Sequence, residues 1–181
     1  MGRWVLRGVA GLATVVALLY ILGSRIPRDH VASAILEVHD SPPEAVWAVL
    51  DTPREYPSWR KAVSEVRLLT PAAGRKRWQE KSRFGTITFT QVEASPPAHM
   101  VVVIADAGQG FGGSWTYEIQ ATNGGSFVAI AEKGYVDSPF FRLISRYVTG
   151  YDATMLQFLE ELSARLGEEA VPVGIDPDAP G

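Results

Sequence analysis

The chain has 181 residues, a formal net charge of −3, no cysteine and 46% hydrophobic residues. A length in the ~100–200 residue range of one domain, a small charge and the lack of thiols exclude four classes. These are a basic nucleic-acid binder, a disulfide-stapled mini-protein, a thiolate zinc site and a thiol nucleophile. An extracytoplasmic location stays open, because a domain of this size does not need disulfides.

The averages conceal three unlike parts. Residues 1–28 hold four arginines and no acid, and Gly8–Gly23 contains no charged side chain at all. Residues 4–23 (WVLRGVAGLATVVALLYILG) meet the ~20 apolar residues that a spanning helix requires, provided Arg7 snorkels to the headgroups. Trp4 and Tyr20 stand near its ends, where amphipathic rings prefer the interface. A cleaved signal peptide fits less well, since LYILGSRIPRD offers no A-x-A-like pair of small residues. We therefore read residues 1–25 as an uncleaved single-pass anchor. Arg3, Arg7 and the amino terminus outweigh Arg25 and Arg28, which puts the N-terminus in the cytoplasm and the domain outside it.

The domain proper is expected over residues 30–167. Val31–Val38 alternates and is β-branched, as a strand should be. Asp40-Ser41-Pro42-Pro43-Glu44 supplies helix-start chemistry for a short helix over Ala45–Leu50, and Arg54–Trp59 is a second helical turn. From Val63 to Val136 the chain reads as consecutive strands, broken at Pro71–Gly74, Gly85, Ser95-Pro96-Pro97, Gly108–Gly113 and Asn123-Gly124-Gly125. In Ser114–Gln120, Trp115, Tyr117 and Ile119 take one face; in Thr86–Thr90, Ile87 and Phe89 do. Such one-sided strands belong to an antiparallel sheet with a wet outer face.

After Ser138-Pro139 the period changes. Ile144, Val148, Tyr151, Met155, Phe158, Leu162 and Leu166 recur at three- and four-residue steps, which predicts one long amphipathic helix ending at Gly167. Gly150 costs ~1 kcal/mol against alanine at mid-helix, so a kink or close contact is expected there. Residues 168–181 are acidic and proline-rich and read as a disordered tail.

This order of elements, with particular residues in it, resembles the polyketide-cyclase-like branch of the START/birch-pollen-allergen superfamily (SRPBCC). The residues are Ser33-Ala34-Ile35, Ser41-Pro42-Pro43-Glu44-Ala45-Val46-Trp47, Asp51, Tyr56-Pro57-Ser58-Trp59, Trp115, Glu132-Lys133-Gly134 and Pro139-Phe140-Phe141-Arg142…Ser145-Arg146-Tyr147. The resemblance implies an α+β helix-grip fold: a curved antiparallel sheet wrapped around a long C-terminal helix (β-α-α-β6-α), enclosing a hydrophobic cavity. The apolar N-terminal segment departs from the simplest soluble members.

With that fold, Phe89, Trp115 and Tyr117 from the strands and Met155 and Phe158 from the helix become ligand-binding candidates. Trp78 joins them if the even-numbered positions of Lys76–Phe84 point inward, and Phe111 gates the cavity mouth. The same parity would bring Glu80 inside, and Glu132 shares a face with Val128 and Ile130. Two carboxylates in an apolar cavity make an acid and a base. The other reading of Lys76–Phe84 leaves Glu80 outside, paired with Lys81 and Arg83. Gly108-Gln109-Gly110-Phe111-Gly112-Gly113 lies between strands and lacks a lysine, so it is a hairpin turn and not a phosphate loop. His30, His39 and His99 are too scattered for a metal site, no cofactor is implied, and no nucleophile elbow is present. The basic group Arg75-Lys76-Arg77 with Lys81 and Arg83 is either a solvated hairpin or a contact for anionic headgroups. Arg142 and Arg146 offer the same contact, or pair with Glu132 or Asp137.

The sequence thus points to a membrane-tethered domain that binds a lipid or other small hydrophobic molecule. The alternatives are a cyclase/dehydratase-like enzyme on an aromatic or polyketide-like substrate and a non-catalytic assembly platform; catalysis rests on Glu80 and Glu132 alone. Reporter fusions at Met1 and Gly181 should report opposite sides of the membrane, and two cytoplasmic signals would remove the anchor.

Overall fold

Alternation along the chain decides the architecture of the computed structural model, which describes residues 2–83, 85–106, 108 and 110–175. In β1 (Asp29–Val38), Ala32, Ala34, Leu36 and Val38 are buried while their odd-numbered neighbours lie toward the other face. The opposite residues of β7 (Ser126–Val136) are Glu132, Ile130, Val128 and Ser126, and this antiparallel pairing carries the inner face across the sheet. In β6 (Phe111–Ala121) it continues through Trp115, Tyr117 and Ile119. Val102 and Met100 extend it in β5 (His99–Ile104), and Phe89 and Gln91 in β4 (Gly85–Ser95). Trp78 and Glu80 carry it over β3 (Arg75–Ser82), and Val66 and Leu68 over β2 (Glu65–Ala72). A single register thus settles which side chains look inward, since a one-residue slip would reverse them all.

The sheet order is β2-β3-β4-β5-β6-β7-β1-β8, so β1 closes against the last meander strand although it comes first in the chain. Between β1 and β2 the chain forms α2 (Pro43–Leu50), a 3-10 turn (Pro53–Glu55) and α3 (Tyr56–Trp59). Pro43 and Pro53 sit at first helical positions, where a missing N–H costs nothing. The Tyr56 hydroxyl donates to the Leu50 carbonyl at 2.6 Å and pins the second turn under the first. The inner face is covered by α5 (Ala153–Arg165), whose Met155, Phe158, Leu159 and Leu162 are buried at the i, i+3, i+4, i+7 spacing of one helical face.

Three sequence expectations change. The long C-terminal helix is broken into α4 (Pro139–Ile144), a π turn (Ser145–Thr149) and α5. Gly150 has φ +80°, a conformation that costs a glycine little and interrupts the helix outright instead of kinking it. As a result Val148, placed by periodicity on the buried stripe, is exposed. Second, Phe111-Gly112-Gly113 belongs to β6, opposite Val136, Tyr135 and Gly134 of β7, and Gln109 lies outside the described residues. Third, the segment read as a tail carries structure up to residue 175, while 176–181 lie outside the described residues. Val173–Ile175 forms β8, antiparallel to Ser33–Ile35 of β1, and so covers an open sheet edge.

Glu168 holds that segment in place. Its carboxylate accepts from the Ser41 hydroxyl at 2.6 Å and from the amides of His39 at 2.7 Å and Asp40 at 3.3 Å. Burial opposes its charge, but these donors together hold the carboxyl below its usual range. The unfolded chain then binds a proton more readily than the native one, so the contribution is present at neutral pH and is lost as pH falls through the native value. Glu168→Gln should cost about 1–2 kcal/mol in urea unfolding at pH 7, and the gap from the parent should shrink toward pH 3. A gap independent of pH would contradict this.

At the other end of the chain, α1 (Gly2–Ser24) is one helix long and apolar enough to cross a membrane, and almost none of its Arg7–Ser24 stretch is buried within the protein. At 1.5 Å per residue its 23 residues span roughly 35 Å.

Candidate functional site

The inner face gathers its large rings at one place because β3, β4 and β6 each present aromatic residues there, and α5 presents Phe158 to those of β6 and to Trp59 of α3. Phe158 lies 5.6 Å from Trp115, 5.9 Å from Tyr117 and 5.5 Å from Trp59, mostly edge-on. Trp78 stacks on Phe89 at 5.7 Å, and Tyr56 joins Trp59 to Trp78 with near-perpendicular contacts. Of the seven residues singled out for a ligand, Trp78, Phe89, Trp115, Tyr117 and Phe158 therefore fall in one ring cluster. Met155 is buried beside them on α5. Phe111 opens β6 four residues before Trp115, at the end of the same face.

Two carboxylates enter this apolar region, each by the same device. The Trp78 indole N–H donates to Glu80 Oε1 at 2.9 Å, and the Trp115 indole N–H donates to Glu132 Oε2 at 2.9 Å. Trp78 and Glu80 are two residues apart on one strand, and Trp115 faces Glu132 across β6 and β7. Glu80 is inside and does not pair with Lys81, which instead lies 3.8 Å from Glu65. Its partner is Arg60, whose Nη1 stands 2.7 Å from Glu80 Oε2 and whose guanidinium lies 5.0 Å from both the Tyr56 and Phe158 rings. Glu132 has His30 at 3.5 Å, and the His30 ring stacks on Tyr151 at 4.2 Å. The two poles lie on opposite sides of Phe158's neighbours: Arg60–Glu80 toward β2, His30–Glu132 toward β1.

Sequence reasoning did not assign Arg60, His30, Tyr151 or Trp59 to the site. Arg60 follows the Tyr-Pro-Ser-Trp turn and is aimed inward only because α3 ends there, and nothing in its own spacing reveals that. His30 was weighed only as a metal ligand. It sits at an even position of β1, the parity that faces inward, and that parity was its available signal.

Burial raises the phenol pKa of Tyr117, and likewise that of Tyr56, so both stay protonated donors. Trp59 is different. Its Nε1 is buried and has no acceptor among the described residues, whereas Trp78 and Trp115 each have a carboxylate. An orphaned buried donor costs about 1–3 kcal/mol. No group of three His, Asp or Glu side chains among the described residues could hold a metal ion.

Two open grooves lie outside this ring cluster. One, of about 750 Å³, runs between the exit of α1, the start of β1 and the Gly150 hinge, and its lining includes Arg25, His30, Arg146, Tyr147 and Tyr151. His30 and Tyr151 thus form a wall shared by the groove and the Glu132 pole. The other, of about 720 Å³, lies along Leu156, Glu160 and Ser163 on the outer side of α5. Lys76, from the basic group, is bound to the Asp51 carboxylate at 2.6 Å and to its carbonyl at 2.8 Å. Arg142 pairs with neither Glu132 nor the Asp137 carboxylate: it donates to the carbonyls of Val136, Ile26 and Asp137.

Residues 36–167 match the family model described as polyketide cyclase / dehydrase and lipid transport. No curated protein matches the sequence. Among solved structures, the di-domain ARO/CYC StfQ from the steffimycin biosynthetic pathway is 12% identical with a TM-score of 0.59, covering 88% of this chain. This chain spans only 57% of that two-domain protein. Norcoclaurine synthase from Thalictrum flavum is 12% identical with a TM-score of 0.60, covering 82% of this chain and 91% of its own. A conserved protein from Geobacillus kaustophilus is 11% identical with a TM-score of 0.64, covering 79% and 99%. At these identities the likeness is one of fold, and it fits the helix-grip architecture described above.

Arg60→Met should be costly, because it strands the Glu80 carboxylate in a ring-lined interior. We expect a loss of about 3–5 kcal/mol in chemical denaturation, with Arg60→Met/Glu80→Gln recovering part of it. A single variant as stable as the parent would show that Glu80 reaches water.

Proposed function

Since the chain belongs to the polyketide cyclase/dehydrase and lipid transport family, we propose that it binds a lipid or other small hydrophobic molecule against the ring cluster beneath α5. α1 serves as the membrane anchor, with the domain on the extracytoplasmic side. The observation that carries the reading is the Trp59 indole N–H, buried beside Phe158 with no acceptor among the described residues while the indoles of Trp78 and Trp115 are satisfied. A ligand of apolar body and one carbonyl or hydroxyl oxygen supplies the missing acceptor and gains aromatic contact from Trp78, Phe89, Trp115, Tyr117, Met155 and Phe158. Mostly apolar sites with few polar groups bind in this way. The entrance in this reading is the His30–Tyr151 wall, which lines the groove at the α1 exit on one side and meets Glu132 on the other. Phe111 guards the opposite approach at the start of β6.

The test is mass spectrometry of the organic extract of purified full-length protein, with thermal shifts across a lipid and polyketide panel. A bound hydrophobic compound, lost in Trp59→Phe/Phe158→Ala, is the expected result. An empty protein with no shift would overturn the reading.

A cyclase/dehydratase-like activity is the second reading, favoured by the inward placement of both Glu80 and Glu132. Each carboxylate is held by an indole N–H, with Arg60 and His30 respectively behind it. Such placement orients a proton donor and acceptor on two sides of one bound ring. On a substrate identified by the panel, Glu80→Gln and Glu132→Gln should each reduce turnover by about 100-fold or more. Unchanged turnover in both leaves binding as the whole function.

A further inference from the structure

The break at Gly150 separates from α5 a stretch whose Ile144 and Val148 the sequence pattern assigns to the buried stripe. Phe140 and Phe141 are 48% and 59% exposed, and Tyr147 and Val148 are 73% and 77% exposed. Single exposed apolar residues are ordinary, but four large ones within nine positions form a patch. Its position is fixed relative to α1. Gly23, in the last turn of that helix, packs so closely on α4 that a Cβ there would run into the Pro139 carbonyl. Arg142 reinforces the joint by donating to the Ile26 carbonyl at 3.2 Å and the Val136 carbonyl at 2.7 Å. Arg28 clamps Asp137 at 2.7 Å from the other side.

We propose that residues 139–149 form an amphipathic flap seated in the interfacial layer of a lipid bilayer, at the surface where α1 emerges. The proposal rests on the reading of α1 as a membrane anchor and extends it to the domain. The occupant is argued from three observations. The patch is continuous with the exposed apolar surface of α1, from Val9 to Leu22, so one apolar phase covers both. Residues 139–151 contain two arginines and no acid, and Arg25 and Arg28 stand at the joint. Aromatic and aliphatic residues beside arginines are the composition of helices that lie in the headgroup region. Among the described residues Arg25 and Arg146 have no acidic partner within 4.0 Å, which suits them to lipid phosphates. Seated this way, the groove lined by Arg25, Asp29, His30, Arg146, Tyr151 and Asp152 opens directly on the headgroups, and a ligand passes from the bilayer to the interior without crossing water.

Because the chain has no cysteine, an introduced one is labelled uniquely. Full-length protein carrying an environment-sensitive fluorophore at Phe141→Cys, Val148→Cys, Leu12→Cys or Thr122→Cys is reconstituted in phosphatidylcholine/phosphatidylglycerol vesicles. Lipids spin-labelled near the carbonyl or near the chain end report depth. Labels at 141 and 148 should be quenched ~2-fold or more by the shallow probe, as for a helix lying ~5–10 Å into the boundary. The label at 12 should be quenched by the deep probe, and that at 122, in an exposed turn, by neither. Quenching at 12 without quenching at 141 and 148 overturns the flap and leaves the anchor standing. Loss of quenching at all three overturns both. A blue shift at 141 and 148 that disappears on diluting the protein in excess lipid assigns the patch to a second copy of the chain, and also overturns the proposal.

Discussion

Burying a carboxylate in an apolar interior is affordable only when its charge is matched or its lone pairs are filled. This protein does so fully at Glu80 and in part at Glu132, and the site is arranged around the two solutions. An indole N–H meets each carboxylate, which fixes Trp78 and Trp115 in orientation as much as it satisfies the acids. Arg60 and His30 complete the pair, and each draws in a further ring: Arg60 lies over Tyr56 and Phe158, His30 over Tyr151. The aromatic cluster is therefore more than apolar filling. Its rings are also held by polar contacts.

Phe158 links the two poles. It touches rings from α3 and β6, so α5 is keyed to the sheet at the ring cluster. The rest of the helix packs over the aliphatic side of the sheet, where Ala32, Ala34 and Leu36 of β1 and Ile130 and Val128 of β7 are almost fully buried. The aliphatic part of the core thus lies toward β1 and β7, while the ring cluster lies over β3, β4 and β6.

Much of this was legible from residues alone. The alternation in Ser114–Gln120 puts Trp115 and Tyr117 inside, and the i, i+3, i+4 stripe of Met155, Phe158 and Leu162 places the covering helix. Parity gave two options for Glu80, and Arg60 decides between them; its contact spans 20 positions and leaves no local pattern. The helix break was harder to see. Apolar spacing through Ile144 and Val148 is compatible with one helix, and only the positive φ of Gly150 reveals that the stripe is interrupted and that Val148 leaves the core. Glu168 was hidden for a related reason: a single carboxylate capping a distant loop looks like any acidic tail residue.

The apolar N-terminal helix, the exposed α4 side chains and the groove beside His30 lie at one end of the molecule, and the orphaned Trp59 donor lies in its interior. The most direct test of uptake from the first to the second is the indole 15N–1H spectrum of the full chain in lipid nanodiscs. Its five tryptophans are few enough to assign by single Trp→Phe variants. Titration with a total lipid extract should move the Trp59 indole resonance to a hydrogen-bonded position and leave those of Trp78 and Trp115, already bound to Glu80 and Glu132, much less changed. A spectrum in which Trp59 stays fixed throughout the titration would contradict the interior as a ligand site.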